Sequence, residues 1–188
     1  MPQASSLAPS LLVAALTMFA PAQAQEVSSL YTPLDLKKCK DVTPTDAKEY
    51  GTIWRCEGYE ELSVRVAEGD LRIFVSYGPK AETQTAAPAA IQQYRRQIGV
   101  ARDERRRPVS SISILRYKWD SDNGEGSTLV VTKLGRDDSC HVAYVDATGN
   151  PKANEQARAI ADREAVKFVC KQDTAKHYLA DGSAAQTR

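Results

Sequence analysis

Arginine grips carboxylates and phosphates through a planar fork of donors, and seven arginines crowd one part of this chain. They are Arg95, Arg96, Arg102, Arg105, Arg106, Arg107 and Arg116. From Arg95 to Lys118 eight basic residues stand against two acidic ones, Asp103 and Glu104. The whole chain carries 25 basic and 24 acidic side chains, so the excess is local. That pattern implies an anionic partner at this place, either an anionic envelope component or an acidic protein. The bland alternative is a solvated loop balanced by its own two acids. A near-zero net charge lacks the broad basic face that nucleic acid requires.

Cys39, Cys56, Cys140 and Cys170 are the second reactive set. An even count behind an apolar leader points to an oxidising compartment and to bridges. Three pairings are open. Cys39–Cys56 and Cys140–Cys170 are favoured, because each pair brackets one local unit, and each loop would contribute about 3 kcal/mol in the chain-entropy model. No C-x2-C spacing supports a zinc site, so neither metal nor cofactor is expected.

His141 and His177 are the chain's two histidines, and neither sits in a nucleophile elbow or an H-E-x-x-H helix. No catalytic residue is assigned to them. Glu57, Glu60, Glu61, Glu68 and Asp70 are dense in one region, and glycoside chemistry uses two carboxylates at a fixed separation. These acids fall at strand ends and turns, where solvation is explanation enough. Asp120, Asp122 and Glu125 surround an Asn-Gly turn but miss the spacing of a calcium-binding loop.

The elements that would position these residues read as follows. Residues 1–24 hold no charged side chain, and an apolar run from Leu11 to Ala20 leads into Ala22-Gln23-Ala24. That is the pattern of a secretory signal peptide cleaved after Ala24. No later run is apolar enough to span a membrane. Residues 25–50 read as an extended arm tied down through Cys39, 51–173 as a single domain, and 174–188 as a polar tail that frays. A strand spans Thr52 to Tyr59, and residues 62–77 alternate as a hairpin turning at Glu68-Gly69-Asp70. Ile91, Tyr94 and Ile98 predict a short amphipathic helix from Pro88 to Ile98.

Ile112–Trp119, Thr128–Leu134 and Cys140–Asp146 make a meander. Its first strand turns Leu115, Tyr117 and Trp119 to one face and Ile112 and Ile114 to the other. If Cys140 faces the last helix, strict alternation puts Val142 and Tyr144 beside it and turns His141 away. Asn150 and Pro151 predict the cap and first residue of that helix. Its apolar stripe is Ala153, Ala157, Ile160, Ala161, Ala165 and Phe168, with Glu164 pairing with Lys167 on the outside and unwinding near Phe168 or Val169.

The runs SLYTPLDLKKC, WRCEGYEELSVRVAEGDLRIFVSYG and LVVTKLGRDDSCHVAYVDA resemble a group of small, uncharacterised secreted proteins of Gram-negative bacteria. The resemblance spans most of the chain beyond the leader. It implies an exported single-domain protein and carries no activity. The expected fold is α+β: an antiparallel sheet of about six strands, hairpin plus meander, with a C-terminal helix packed on one face and two disulfides as staples. The expected function is a periplasmic or secreted binding or envelope-associated module without catalysis. The alternatives are a hydrolase of envelope polymers using rim carboxylates, and a protein inhibitor of a lysozyme-like enzyme.

Overall fold

The computed structural model describes residues 34–58, 62–88, 90–92, 98–99, 111–121, 124–135 and 137–185, with the backbone alone for 90–92, 98–99, 111 and 121. The leader expected at 1–24 lies outside the described residues.

Alternation in the N-terminal half builds a first sheet. Its strands are β1 (Lys40–Asp41), β2 (Thr52–Cys56), β3 (Val64–Gly69), β4 (Arg72–Tyr77) and β5 (Ala90–Gln92), paired in chain order. β3 and β4 form the expected hairpin, with Gly69 opposite Arg72. The two turn residues are Asp70 and Leu71, both at positive φ (51° and 57°). A two-residue turn of this hand matches the strand twist but suits Asn and Gly; Leu71 occupies it under strain. The helix expected from Pro88 to Ile98 is replaced by strand at both described pieces. Ile91 pairs with Ile73 in β5, and Ile98 pairs with Tyr117. A few apolar residues at helical spacing yield here to strand pairing, which β-branched side chains favour.

The second sheet runs β10-β9-β8-β7-β6. It comprises β6 (Ile98–Gly99), β7 (Ser111–Ser121), β8 (Gly124–Leu134), β9 (Ser139–Asp146) and β10 (Lys176–Tyr178). One sheet of six strands is therefore corrected to two sheets of five. The physical reason is on the meander itself, which is apolar on both faces and so is covered twice. Leu115, Tyr117, Val130 and Leu134 meet Cys56, Val64, Val66, Ile73, Val75 and Tyr77 of the first sheet in one cluster. Ile112, Ile114, Leu129, Val131, Val142 and Val145 meet the C-terminal helix in another. The layers are sheet, sheet, helix.

Helix α1 (Ala153–Ile160) lays Ala153, Ala157 and Ile160 on the second sheet. It starts later than expected: its N-cap is Lys152, without a side-chain capping bond, and Asn150 instead shapes the turn before the helix, its Oδ1 accepting from Lys152 N at 3.0 Å. A π-helical turn, Ala161–Ala165, follows before the chain leaves the sheet. The extra residue in that turn re-aims the backbone, and Phe168 and Cys170 still reach the core. Both favoured disulfides are present, Cys39–Cys56 and Cys140–Cys170. The second ties β9 to the segment after the π-turn.

Over residues 174–185 the chain is docked on the fold, against the expectation of a frayed tail. β10 adds to β9 in parallel, His177 opposite Tyr144, and Tyr178 is buried in the helix-side core. Glu164 holds this strand in place. It accepts from the Tyr178 hydroxyl, from Arg163 at 2.8 Å, and pairs with Lys176 at 3.4 Å. The expected partner Lys167 is not among these. No described helix is long and apolar enough to cross a membrane.

Candidate functional site

Six of the seven arginines, Arg95, Arg96, Arg102, Arg105, Arg106 and Arg107, lie outside the described residues. In chain order, 93–97 runs from β5 of the first sheet to β6 of the second, and 100–110 runs from β6 to its neighbour β7. The seventh turns inward. Arg116 donates to Ser127 Oγ and to Asn154 Oδ1, each at 3.0 Å, and so ties β7 to β8 and to α1. Burial lowers its pKa. Its fork is occupied by the scaffold.

The two histidines come together on one tyrosine. A register shift between Val131 and Thr132 sets Ala143 opposite Val131 and His141 opposite Thr132, which leaves Val142 as the extra residue of a β-bulge. Cys140 and Val142 keep to the helix side, but Tyr144 is moved to the face that His141 occupies. Strict alternation had assigned Tyr144 to the helix side; the bulge overturns that. His141 Nδ1 and the Tyr144 hydroxyl are 2.8 Å apart, and the His177 ring stacks on Tyr144 with centroids 4.6 Å apart. Burial pushes His141 down to about 4, so it is neutral near pH 7. Tyr77, hydrogen-bonded to Ser113 Oγ at 2.9 Å, and Tyr117 lie in the same inter-sheet layer. Burial first, then Tyr77 and Tyr144, raise the Tyr117 pKa. His141, Tyr77 and Tyr117 are buried, Tyr144 is half-buried and His177 is exposed; the side chains of His141 and Tyr144, and of Tyr77 and Ser113, bond to one another.

Among the described residues, the carboxylates of this group do not converge. Glu68 pairs across from Thr52, while Cys56 pairs with Val64; Glu57 therefore lies five residues along from the row of Glu68, about 17 Å away at the rise of a strand. A retaining or inverting pair stands within about 10 Å. Asp70 lies beyond Glu68 at the hairpin tip, 3.9 Å from Arg72, and Glu60 and Glu61 lie outside the described residues. Asp120 and Glu125 face each other across the β7–β8 hairpin, whose Asp122 is also outside them. No group of acids, histidines and cysteines with metal-binding geometry occurs among the described residues.

Asp138 is a structural joint. Its Oδ1 accepts from Thr85 N at 2.7 Å and from Ser139 N at 2.9 Å, its Oδ2 from Thr85 Oγ1 at 2.6 Å. Lys171 approaches to 3.6 Å. Burial alone would raise its pKa, but the Thr85 bonds, Lys171 and Ser139 together bring it below the ordinary value. The joint fastens the loop after β4 to the β8–β9 turn.

One basic cluster was not singled out from the sequence. Lys40, Arg55, Arg65 and Ser76 are direct neighbours across β1, β2, β3 and β4. Their strand partners of opposite parity, among them Val64, Val66, Val75 and Tyr77, fill the inter-sheet core. The four therefore occupy the outward face of the first sheet. Like charges directly opposite one another disfavour pairing, and here three stand in a row. The ion pairs among the described residues engage other cations, Arg72, Lys80, Arg163, Lys171 and Lys176. Arg65 Nε and Ser76 Oγ are buried without a hydrogen-bond partner in the protein, and Ser76 is 1% exposed. Arg55, Arg65 and Ser76 sit at outward positions of strands that the sequence shows, whereas Lys40 lies on a strand of two residues that carries no such signal. Only the register makes them one row.

No family model, no curated protein and no solved structure matches this chain.

Proposed function

We propose that the protein is an exported, non-catalytic binding module that takes an anionic component of the cell envelope, or an acidic protein, through the arginines of residues 95–107. The observation that carries this reading is the concentration of those arginines in the two chain segments on either side of β6, residues 93–97 and 100–110. The two disulfides agree with an oxidising, extracytoplasmic compartment, where a leader cleaved after Ala24 would deliver the chain. His141, Asp138, Glu164 and Arg116 are bonded into the scaffold, which is how a framework rather than a reaction centre uses such groups.

The test is co-sedimentation with purified peptidoglycan and with anionic vesicles, beside capture from envelope extract. Each is run over a range of salt with the wild type and with Arg105→Ala/Arg106→Ala/Arg107→Ala. Retention by the wild type that falls as salt rises, and that the triple variant lacks, supports the reading. Equal retention of both proteins overturns it.

A second reading, inhibition of a lysozyme-like enzyme, is favoured by one observation. Leu71 stands 57% exposed at the hairpin tip in a strained conformation, the posture of a residue that enters a cleft. Inhibition that Leu71→Glu abolishes would support it; inhibition unchanged by that substitution, or none at all, would remove it.

A further inference from the structure

We propose that the outward face of the first sheet holds a phosphate-binding site formed by Lys40, Arg55, Arg65 and Ser76, distinct from the arginines of 95–107. Three features of the row point to this together. The first is charge: three cations lie side by side on strands about 4.8 Å apart, with Lys40 and Arg55 exposed and Arg65 half-buried, and none is engaged by a carboxylate among the described residues. A sheet that sets like charges opposite one another gains when an anion enters between them.

The second feature is the pair of unsatisfied donors. A buried N–H or O–H with no partner is rare and destabilising. Two such groups on adjacent residues of one row, Arg65 Nε and Ser76 Oγ, are at the end of the row where burial is deepest. An oxyanion satisfies both at once. A carboxylate offers two oxygens and one charge, which a single arginine fork saturates. A phosphate offers up to two charges and several oxygens, enough for three cations and a hydroxyl.

The third feature is the neighbouring row. Ile53, Ala67 and Phe74 pair across the same strands two residues away, on the same face, and each is half-buried. None belongs to either core cluster. An apolar strip beside a phosphate site suits the first carbons of a phosphorylated amphiphile. The shared chemistry is the phosphate group, supplied either by a lipid headgroup or by a free phosphate.

The experiment titrates the full chain with inorganic phosphate, and separately with vesicles of phosphatidylcholine with and without phosphatidic acid. The readout is the backbone amide NMR signals of Arg65 and Ser76 together with affinity. Saturable shifts at those two amides are expected, with Arg55→Gln weakening binding about tenfold, the usual consequence of losing one charge-assisted contact. Ser76→Ala should weaken it less. Arg55 is exposed, so its variant should keep the wild-type NMR spectrum elsewhere, and loss of binding is then not loss of fold. Response to both probes assigns phosphate as such; response to phosphatidic acid alone assigns a lipid headgroup with the apolar strip engaged; response to inorganic phosphate alone assigns the free ion. No shift at Arg65 and Ser76 with either probe, or Arg55→Gln binding like the wild type, overturns the site. Binding lost only in Arg105→Ala/Arg106→Ala/Arg107→Ala would do the same while leaving the reading based on residues 95–107 intact.

Discussion

The outward faces of the two sheets use polar residues in opposite ways. Over the second sheet, α1, the π-turn and β10 close a core in which Arg116, Lys133, Glu164 and Tyr178 all bond to the protein itself. Over the first sheet, Lys40, Arg55 and Arg65 stand in a row, and Arg65 Nε and Ser76 Oγ have no partner in the protein. Groups bonded inward hold the fold together. Donors aligned on a face and left unsatisfied are placed for something outside it, since selection for stability alone would have removed them. The contrast separates a structural half from a binding half on one physical criterion.

The largest expected effect tests whether the helix side is the structural half. Cys140→Ala/Cys170→Ala should lower the unfolding free energy by about 3.6 kcal/mol, and Cys39→Ala/Cys56→Ala by about 3.1 kcal/mol, the longer loop giving the slightly larger effect in the chain-entropy model. Urea denaturation of the two double variants measures both. A larger loss at the Cys39–Cys56 bridge would reverse the contrast.

Acid comes next. Burial pushes His141 from an ordinary 6.5 to about 4, so on acidification the unfolded chain takes up this proton first. Stability is complete above about pH 6.5 and declines as pH falls toward 4, by about 3 kcal/mol in total. Asp138 and Glu164, both held below their ordinary values, lose their contributions only at still lower pH, below about 4.5. Denaturation midpoints measured from pH 7 to pH 4 should fall for the wild type and stay flatter for His141→Gln. Parallel curves would place His141 in water.

The smallest of the three concerns the hairpin that borders the open face. Leu71 is held at positive φ, where a Cβ crowds the backbone, and Leu71→Gly should stabilise by roughly 1 kcal/mol. A melting temperature that falls in this variant would mean that Leu71 packs against something on the first sheet.

Much of this arrangement was legible from residue order. Alternation in 62–77 and in the meander located those strands, and the two-faced pattern of Ile112 and Ile114 against Leu115 and Tyr117 already required cover on both sides. What remained hidden was the pairing of short pieces. β1, β6 and β10 are two or three residues long, too short to show a period, and so the edge strands of both sheets and the docked C-terminus were not legible. The bulge at Val142 was hidden as well, because one extra residue leaves no mark in composition yet brings Tyr144 and both histidines together. The basic row is a matter of register, since Arg55 and Arg65 are ordinary exposed positions until β2 and β3 are set side by side.

The unfolding free energy of unliganded Arg55→Gln tests the contrast most directly. Removing one of three adjacent cations from a face that makes no internal use of them should leave stability unchanged or raise it by up to about 0.5 kcal/mol. A loss of more than about 1 kcal/mol would show that Arg55 is bonded into the fold, and the open face would then be as structural as the closed one.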